Sequence, residues 1–151
     1  MDKKISLSDM EAVITEVLEN NSTVTITASG HSMEPLIRHG KDNVVLKKPE
    51  RKPRKGDVVF YKRNSGKLVL HRIIGEDENG FILRGDNQWS KEYGIDESQI
   101  IAVLDSVEKN GRKYKSDGIY CGVYKILLSH IKWEQRIKNA VSIRLKGDNR
   151  K

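Results

Sequence analysis

The feature that most constrains this chain is a series of short apolar runs separated by turns that contain glycine and asparagine. In these runs, β-branched and other apolar residues dominate or alternate with polar ones, which is typical of β-strands. Asn79-Gly80 and Asn110-Gly111 are strong hairpin signals. The sequence therefore predicts a mainly β fold, with a strongly bent and partly closed, barrel-like sheet. The predicted strands cover residues 23–27, 43–46, 57–61, 67–74, 81–84 and 100–104.

Helical patterns flank the β-type runs. Residues 8–20 have apolar side chains at helical spacing, and Ser8 followed by Glu11 is a capping-box pattern. From residue 119 to 145, apolar residues recur every three or four positions among lysines and arginines, which predicts one or two basic amphipathic helices. We therefore expect an N-terminal helix in residues 1–22, a β domain in 23–117 and a helical tail in 118–151. The tail either packs on the β domain, lies at a membrane interface or contacts a partner.

Composition limits the class of partner. The 151 residues suit a single domain, and the formal net charge of +7 favours contact with an anionic surface. The basic run in residues 47–55 is either a solvated loop or part of such a contact. Nucleic acid is the less favoured partner, because no aromatic-rich basic surface accompanies the charge. The alternative is peripheral contact with an anionic membrane.

Two further features favour a cytoplasmic location. Cys121 is the single cysteine, so an internal disulfide is excluded and the chain carries no sign of an oxidising compartment. The N-terminus lacks the apolar core of a secretory signal, and no run of 18 apolar residues occurs. We expect a cytoplasmic protein, with membrane-peripheral attachment as the alternative.

Three polar residues lie beside or inside the β-type runs: Ser32, His71 and Asp86. Each has an ordinary interpretation, because serine near glycine and proline, and Gly-Asp-Asn, are typical of turns, and histidine in a strand is commonly a core residue. Together they supply a nucleophile, a base near neutral pH and a carboxylate to orient that base. Gly30 allows backbone N–H groups to approach a substrate carbonyl, as an oxyanion hole requires.

Four short motifs resemble, in order, the sequence boxes of type I signal peptidases and, more loosely, of self-cleaving SOS repressors. The resemblance covers residues 26–104 and implies a β peptidase fold and a serine peptidase that needs no metal or organic cofactor. The motifs are Gly30-His31-Ser32-Met33-Glu34-Pro35, Gly56-Asp57-Val58-Val59, Leu70-His71-Arg72-Ile73-Ile74-Gly75 and Gly85-Asp86-Asn87.

The resemblance implies a role for each matching residue. Ser32 is the implied nucleophile, His71 the general base and Asp86 the acid that orients it. The other matching residues are implied in oxyanion and substrate binding (Gly30, Met33 and Pro35) or in support of the site (Arg72 and Asn87).

The base distinguishes branches of this superfamily. Most bacterial signal peptidases and the SOS repressors have lysine at that position. His71 followed by Arg72 resembles the signal peptidases of the endoplasmic reticulum, of archaea and of some spore-forming bacteria, which use a Ser–His pair. Lys67 lies four residues before His71 and on the same strand face, which makes it a lower-ranked alternative base.

The chain also departs from the family. It has no apolar anchor segment, it has Gly40-Lys41-Asp42 where the family has Gly-Asp, and the nearest aspartate after Asp86 is Asp96, although the endoplasmic-reticulum type places one closer. We expect a soluble member that cleaves a peptide or precursor protein. The alternative is a non-catalytic or self-acting, repressor-like peptide-binding module. About 30 residues precede Ser32, which is too few for a helix-turn-helix domain and a cleavage linker.

Overall fold

The computed structural model describes residues 7–20 and 22–118, in which one α-helix precedes a single antiparallel sheet. The strand order is β1-β2-β7-β3-β4-β5-β6, with β8 paired to β7. This confirms the predicted mainly β class, and among the described strands β1 and β6 form the two ends of an open path. The elements are α1 (Leu7–Glu19), β1 (Val24–Thr27), β2 (Asn43–Lys47), β3 (Val58–Lys62), β4 (Leu68–Asp77), β5 (Gly80–Arg84), β6 (Glu92–Ile95), β7 (Ile100–Lys109) and β8 (Arg112–Lys115).

The turns predicted from asparagine and glycine join neighbouring strands. Asn79 lies in the two-residue connection between β4 and β5, and Gly80 begins β5 and pairs with Asp77, the last residue of β4. Asn110 and Gly111 join β7 to β8, and their φ angles of 48° and 73° are positive, as a two-residue type I′ hairpin requires. Because asparagine and glycine adopt positive φ at low cost, these two residues fix the register of the last hairpin.

Strand β7 connects the two halves of the sheet. Its Leu104 lies opposite Leu46 of β2, and its Val103 lies opposite Val59 of β3. Strands β1 and β2 therefore form one half, and β3 to β6 form the other. Because β7 pairs with both β2 and β3, it holds the loop that follows β1 and the strand β4 in the same sheet.

Two apolar clusters lie on opposite faces of the sheet. Val58 and Phe60 of β3 belong to one cluster, whereas Val59 and Tyr61 belong to the other, as the alternation of side chains along a strand requires. The first cluster also contains Ile14 and Leu18 of α1, together with Met33, Leu36 and Ile37 of the loop after β1. The helix is thereby fixed against the loop that carries Ser32.

The structure differs from the sequence predictions at several element boundaries and in β6 and β8, which are not among the six predicted strands. The helix begins and ends one residue earlier than predicted. Strand β6 was not predicted, because its sequence, Glu-Tyr-Gly-Ile, is only four residues long and contains a glycine, and it forms by pairing with β5. Strand β7 continues to Lys109, beyond the predicted end at residue 104. The predicted amphipathic tail falls almost entirely in residues 119–151, which lie outside the described residues.

Candidate active site

The loop that carries Ser32 runs from the end of β1 to the start of β2 and is closed at its base by backbone hydrogen bonds. The Ala28 N–H donates to the Asp42 carbonyl (2.9 Å), and the Gly40 N–H donates to the Ala28 carbonyl (2.8 Å). Inside the loop, the Ile37 N–H donates to the Met33 carbonyl (3.0 Å) in one helical turn. Met33 and Ile37 are buried in the first apolar cluster, so this turn holds the half-buried Ser32 at its N-terminal end.

A buried carboxylate fixes the other end of the loop. Asp42 is fully buried, and its carboxylate accepts hydrogen bonds from the Arg38 backbone N–H (2.8 Å) and from Arg38 Nη2 (2.7 Å). Lys109 Nζ lies 3.3 Å from the same carboxylate. Burial raises the pKa of Asp42, but the hydrogen bonds from Arg38 and the charge of Lys109 outweigh it, so the pKa is lowered. The aspartate of the Gly-Lys-Asp turn is thus a structural anchor.

His71 lies in β4 opposite Val59, and its side chain is 2% exposed. It shares a strand face with Tyr61 of the neighbouring β3. His71 Nδ1 lies 3.1 Å from Glu92 Oε1 and 3.3 Å from the Tyr61 hydroxyl. Sequence reasoning missed Glu92, because only aspartates were considered as the second acid after Asp86.

The β4–β5 register brings Ser32 close to the strand of His71. Arg84, the last residue of β5, pairs with Arg72, the residue directly after His71, and Gly85 follows Arg84 in the chain. A Cβ on Gly85 would lie 2.7 Å from the Ser32 carbonyl oxygen and 3.0 Å from Ser32 Cβ. Two hydrogen bonds attach the same segment to this loop: the Asn87 N–H donates to the Ser32 carbonyl (2.8 Å), and Asn87 Nδ2 donates to the His31 carbonyl (3.1 Å).

Ser32 and His71 line one cleft of about 760 Å³, which lies between the loop after β1 and the first half of β4. Gly30, Met33 and Asn87 line it as well, and so does the alternative base, Lys67. The rest of the lining is largely apolar and comes mainly from Met10, Ile26, Ala28, Val44, Phe60, Leu68, Val69 and Leu70.

Asp86, the predicted orienting acid, has a different partner. Its two carboxylate oxygens accept hydrogen bonds from Arg72 Nε (2.8 Å) and Arg72 Nη2 (2.7 Å). Arg72 also donates from Nη1 to the Gly56 carbonyl (2.8 Å). Both side chains are buried, so this pair ties the end of β5 to β4 and to the turn before β3. The carboxylate in contact with His71 Nδ1 is that of Glu92.

The other predicted residues take up different positions around Ser32. The Gly30 N–H donates to His39 Nδ1 (2.8 Å), so this particular N–H is already engaged. Among the described residues, no backbone hydrogen bond uses the Ser32 N–H. Pro35 is exposed, and its carbonyl accepts a hydrogen bond from Lys109 Nζ (3.2 Å). Asp96 caps the short 3₁₀ helix Glu97–Gln99.

The electrostatics of the site favour a neutral histidine beside an ionised glutamate. Burial lowers the pKa of His71 below its ordinary value, although the nearby Glu92 carboxylate opposes this effect. Burial raises the pKa of Glu92, but hydrogen bonds from Arg63 and Tyr61 outweigh it and lower the pKa. Burial also raises the pKa of Tyr61, which keeps its hydroxyl protonated. A neutral imidazole is the form that accepts a proton from a serine hydroxyl.

The described part of the chain contains neither a candidate metal cluster nor a candidate membrane-spanning helix. Within residues 7–20 and 22–118, no group of three or more histidine, cysteine and acidic side chains is placed to hold a metal ion. No helix in that part of the chain combines the length and the apolar character needed to cross a bilayer.

Comparison with known proteins gives one result that bears on this site. No curated protein sequence matches the chain at a significant level. The family described as Peptidase S24-like matches residues 2–105, a range that includes Ser32, His71, Asp86 and Glu92. This range is more than half of the chain and contains the loop after β1 and the strands that form the cleft. The chain therefore belongs to the Peptidase S24-like family, which lies within the superfamily of SOS repressors and type I signal peptidases.

Proposed function

We propose that this protein is a serine endopeptidase of the signal-peptidase type, with Ser32 as the nucleophile and His71 as the general base. The observation that carries the proposal is the convergence of these two residues on one cleft, although they come from opposite halves of the sheet. Two contacts of the segment that follows β5 support their proximity: the close approach of Gly85 to Ser32 and the hydrogen bond from the Asn87 N–H to the Ser32 carbonyl.

The proposed reaction is acyl transfer in two steps. His71 Nε2 accepts the Ser32 hydroxyl proton as Ser32 Oγ attacks the peptide carbonyl carbon, and the imidazolium then gives this proton to the leaving amine. In the second step, water attacks the ester carbonyl while His71 Nε2 accepts a proton from it. The imidazolium then returns this proton to Ser32 Oγ as the bond between Oγ and the acyl carbon breaks. The Ser32 N–H is available to bind the oxyanion, because it has no backbone partner among the described residues.

The cleft suits an extended peptide. Strand β4 pairs with β5 only from Arg72 onward, so among the described strands its residues 68–71 pair on one edge alone, with β3. On the opposite side of the cleft, residues 26–29 belong to the terminal strand β1 and the start of its loop. Unpaired strand edges bind extended peptides through backbone hydrogen bonds, and the apolar lining suits small or apolar side chains.

The histidine base places the chain, within this proposal, in the Ser–His branch of signal-peptidase-like enzymes. Its proposed substrate is a peptide or precursor protein in the cytoplasm. If the precursor is attached to a membrane, peripheral contact of the enzyme with anionic lipids would bring the two together. These assignments rest on the resemblance at His71-Arg72 and on the net charge of +7.

The test is a cleavage assay on a peptide library with small residues before the scissile bond, analysed by mass spectrometry. Ser32→Ala and His71→Ala should each abolish cleavage, whereas Ser65→Ala, at an exposed turn serine, should leave it unchanged. Lys67→Ala separates the two candidate bases, because both residues line the cleft. Full loss with Lys67→Ala and full activity with His71→Ala would assign the base to Lys67.

The same samples test the alternative function. A repressor-like, self-acting module would cleave its own chain during incubation and would leave added peptides intact, and mass spectrometry of the protein detects this. A non-catalytic peptide-binding module would show neither reaction, and Ser32→Ala would then equal the wild type in every assay.

A further inference from the structure

We propose that Glu92 is the positioning residue for His71: its carboxylate accepts the Nδ1–H of the imidazole and leaves Nε2 as the nitrogen that accepts the Ser32 proton. The inference deepens the proposed peptidase function and rests on it. The supporting contact is the distance of 3.1 Å between Glu92 Oε1 and His71 Nδ1. A neutral imidazole has one N–H, so the atom that binds its proton decides which nitrogen can act as a base.

Sheet register places Glu92 beside the histidine. Glu92 of β6 pairs with Leu83 of β5, and Leu83 pairs with Ile73 of β4. Ile73 and His71 are two residues apart in β4 and share a face. The carboxylate of Glu92 thus reaches Nδ1 across two strand pairings, from a strand of only four residues.

Arg63 holds Glu92 in place. Its Nε donates to Glu92 Oε2 (2.8 Å), and its Nη2 donates to Glu92 Oε1. This two-point contact fixes the plane of the carboxylate, which a single-point contact from a lysine would not do. Both side chains are about one quarter to one third exposed (31% and 25%), so the pair lies at the boundary between the core and solvent.

Asp86 is not placed to take this role. It binds Arg72, the residue directly after His71 in β4, and successive side chains in a strand point to opposite faces. Arg72 pairs with Val58, whereas His71 pairs with Val59 on the other face. The buried ion pair of Arg72 and Asp86 therefore belongs to the opposite side of β4 and supports the turn that contacts Ser32.

The Tyr61 hydroxyl allows two hydrogen-bond arrangements. It lies 3.3 Å from His71 Nδ1 and also hydrogen bonds to Glu92. If the hydroxyl donated to Nδ1, the proton would lie on Nε2 and His71 would not be able to accept from Ser32. Because an ionised carboxylate only accepts hydrogen bonds, Glu92 is the better acceptor for both the Tyr61 hydroxyl and Nδ1–H. The geometry therefore points to the tautomer that leaves Nε2 free.

Nitrogen NMR of the full-length protein with ¹⁵N-labelled histidine tests the tautomer directly. We expect neutral His71, identified by its loss in His71→Gln, to carry its proton on Nδ1. Glu92→Gln should shift the population toward the Nε2–H form, whereas Glu76→Gln, at an exposed carboxylate bound to Lys52, should leave it unchanged. An Nε2–H form in the wild type, or identical spectra for wild type and Glu92→Gln, would overturn the inference. The wild-type spectrum alone decides the question if Glu92→Gln fails to fold.

Kinetics separate positioning from a merely structural role. Glu92→Gln should lower kcat at least about 10-fold with little change in KM, since a misoriented base affects the transition state more than binding. The charged groups that act on His71 are Glu92, Arg63 and Asp86. Removing the charge of Glu92 leaves Arg63 to disfavour the imidazolium, so the acidic limb of kcat/KM should move to lower pH.

Rescue and failure can be told apart. Glu92→Asp, which restores a carboxylate, should recover part of the lost kcat, whereas Glu92→Gln with unchanged kcat and an unchanged pH profile would contradict the positioning role. If wild type and Ser32→Ala were equally inactive, the proposed peptidase function would fail, and the NMR tautomer would still decide whether Glu92 orients His71.

Discussion

The protonation of His71 is governed first by burial, because its side chain is only 2% exposed and lies beside Tyr61 of β3 and Glu92 of β6. Burial lowers its pKa, Glu92 and Asp86 act in the opposite direction and Arg63 adds to the lowering. The balance between burial and these three charges sets the pKa of His71, and this pKa decides the pH range in which the proposed enzyme works.

We expect kcat/KM to stay constant as the pH falls through about 6.5, the ordinary pKa of histidine, and to decrease only below it. The sign follows from the mechanism, since the base must be neutral and its pKa is lowered in the folded protein. A pH profile of peptide cleavage measures this limb. An ascending limb near pH 9–10 instead would indicate a lysine base and would contradict the role of His71.

Gly85 gives a second residue-scale prediction. Gly85→Ala would place a Cβ 2.7 Å from the Ser32 carbonyl, so the loop that carries Ser32 has to move. Because small displacements of a reacting group are costly, kcat/KM should fall by about 10- to 100-fold. Gly75→Ala is the matched control, since its Cβ would meet only Ile82 Cδ1 at 3.6 Å. Equal kinetics for both variants would mean that Ser32 is not held through Gly85.

The sequence predicts site residues where a local motif surrounds them, and it does not predict a contact that only pairing across the sheet creates. Ser32 and His71 were predicted from their motifs, and both line the cleft. Glu92 has no motif, and it reaches His71 only because β6 pairs with β5. Asp86 was assigned to His71 by resemblance, but strand alternation directs its partner, Arg72, to the opposite face.

At the scale of elements, α1 depends on the apolar face that it packs against the first cluster. Ile14→Ala removes a side chain that is 3% exposed, so unfolding free energy should fall by about 2–5 kcal/mol in urea titrations. Val13→Ala, at a side chain that is 58% exposed, should change stability little. Similar losses for both variants would contradict the packing of α1 on the sheet.

The loop between β1 and β2 depends on its buried carboxylate. Asp42→Asn removes the negative charge that Arg38 and Lys109 contact. Because loss of one charge from a buried ion pair is strongly destabilising, the free energy of unfolding should fall by about 3 kcal/mol or more. Glu50→Gln, which removes a partner of Lys47 from an exposed pair, should have little effect on stability. Thermal and urea unfolding compare the two variants, and equal stability would show that Asp42 does not anchor the loop.

The local sequence explains why most strands were predicted and why β6 was not. Strands β3, β4 and β5 contain apolar runs bounded by glycine, and the structure places them within a few residues of the prediction. Strand β6 has one buried residue, Ile95, and its pairing partners set its conformation. The local pattern therefore predicts strands that supply the core and misses one that supplies a functional side chain.

At the scale of the whole molecule, the excess positive charge is only partly compensated within the basic run of residues 47–55. Lys47 pairs with Glu50 (3.0 Å), Arg51 with Asp57 (2.9 Å) and Lys52 with Glu76 (2.6 Å). The other cations of the run are exposed and have no ion pair among the described residues; these are Lys48, Arg54 and Lys55.

We expect the protein to sediment with anionic vesicles at low salt and to be released at about 0.5 M salt, because screening is then strong. The triple variant Lys48→Ala, Arg54→Ala, Lys55→Ala should bind less than the wild type at the same ionic strength. Neutral vesicles serve as the control. Absence of sedimentation at low salt would contradict the proposed contact with membranes.

The position of β7 in the sheet has a consequence for synthesis of the protein. Residues 100–109 are translated after Ser32, His71 and Glu92, yet they join the half of the sheet that precedes the Ser32 loop to the half that contains β4. A nascent chain whose β7 is still inside the ribosomal tunnel carries every proposed catalytic group without the strand that joins them. We therefore expect the proposed peptidase to become active only after β7 has left the ribosomal tunnel. Until then, the nascent chain should not cleave neighbouring chains.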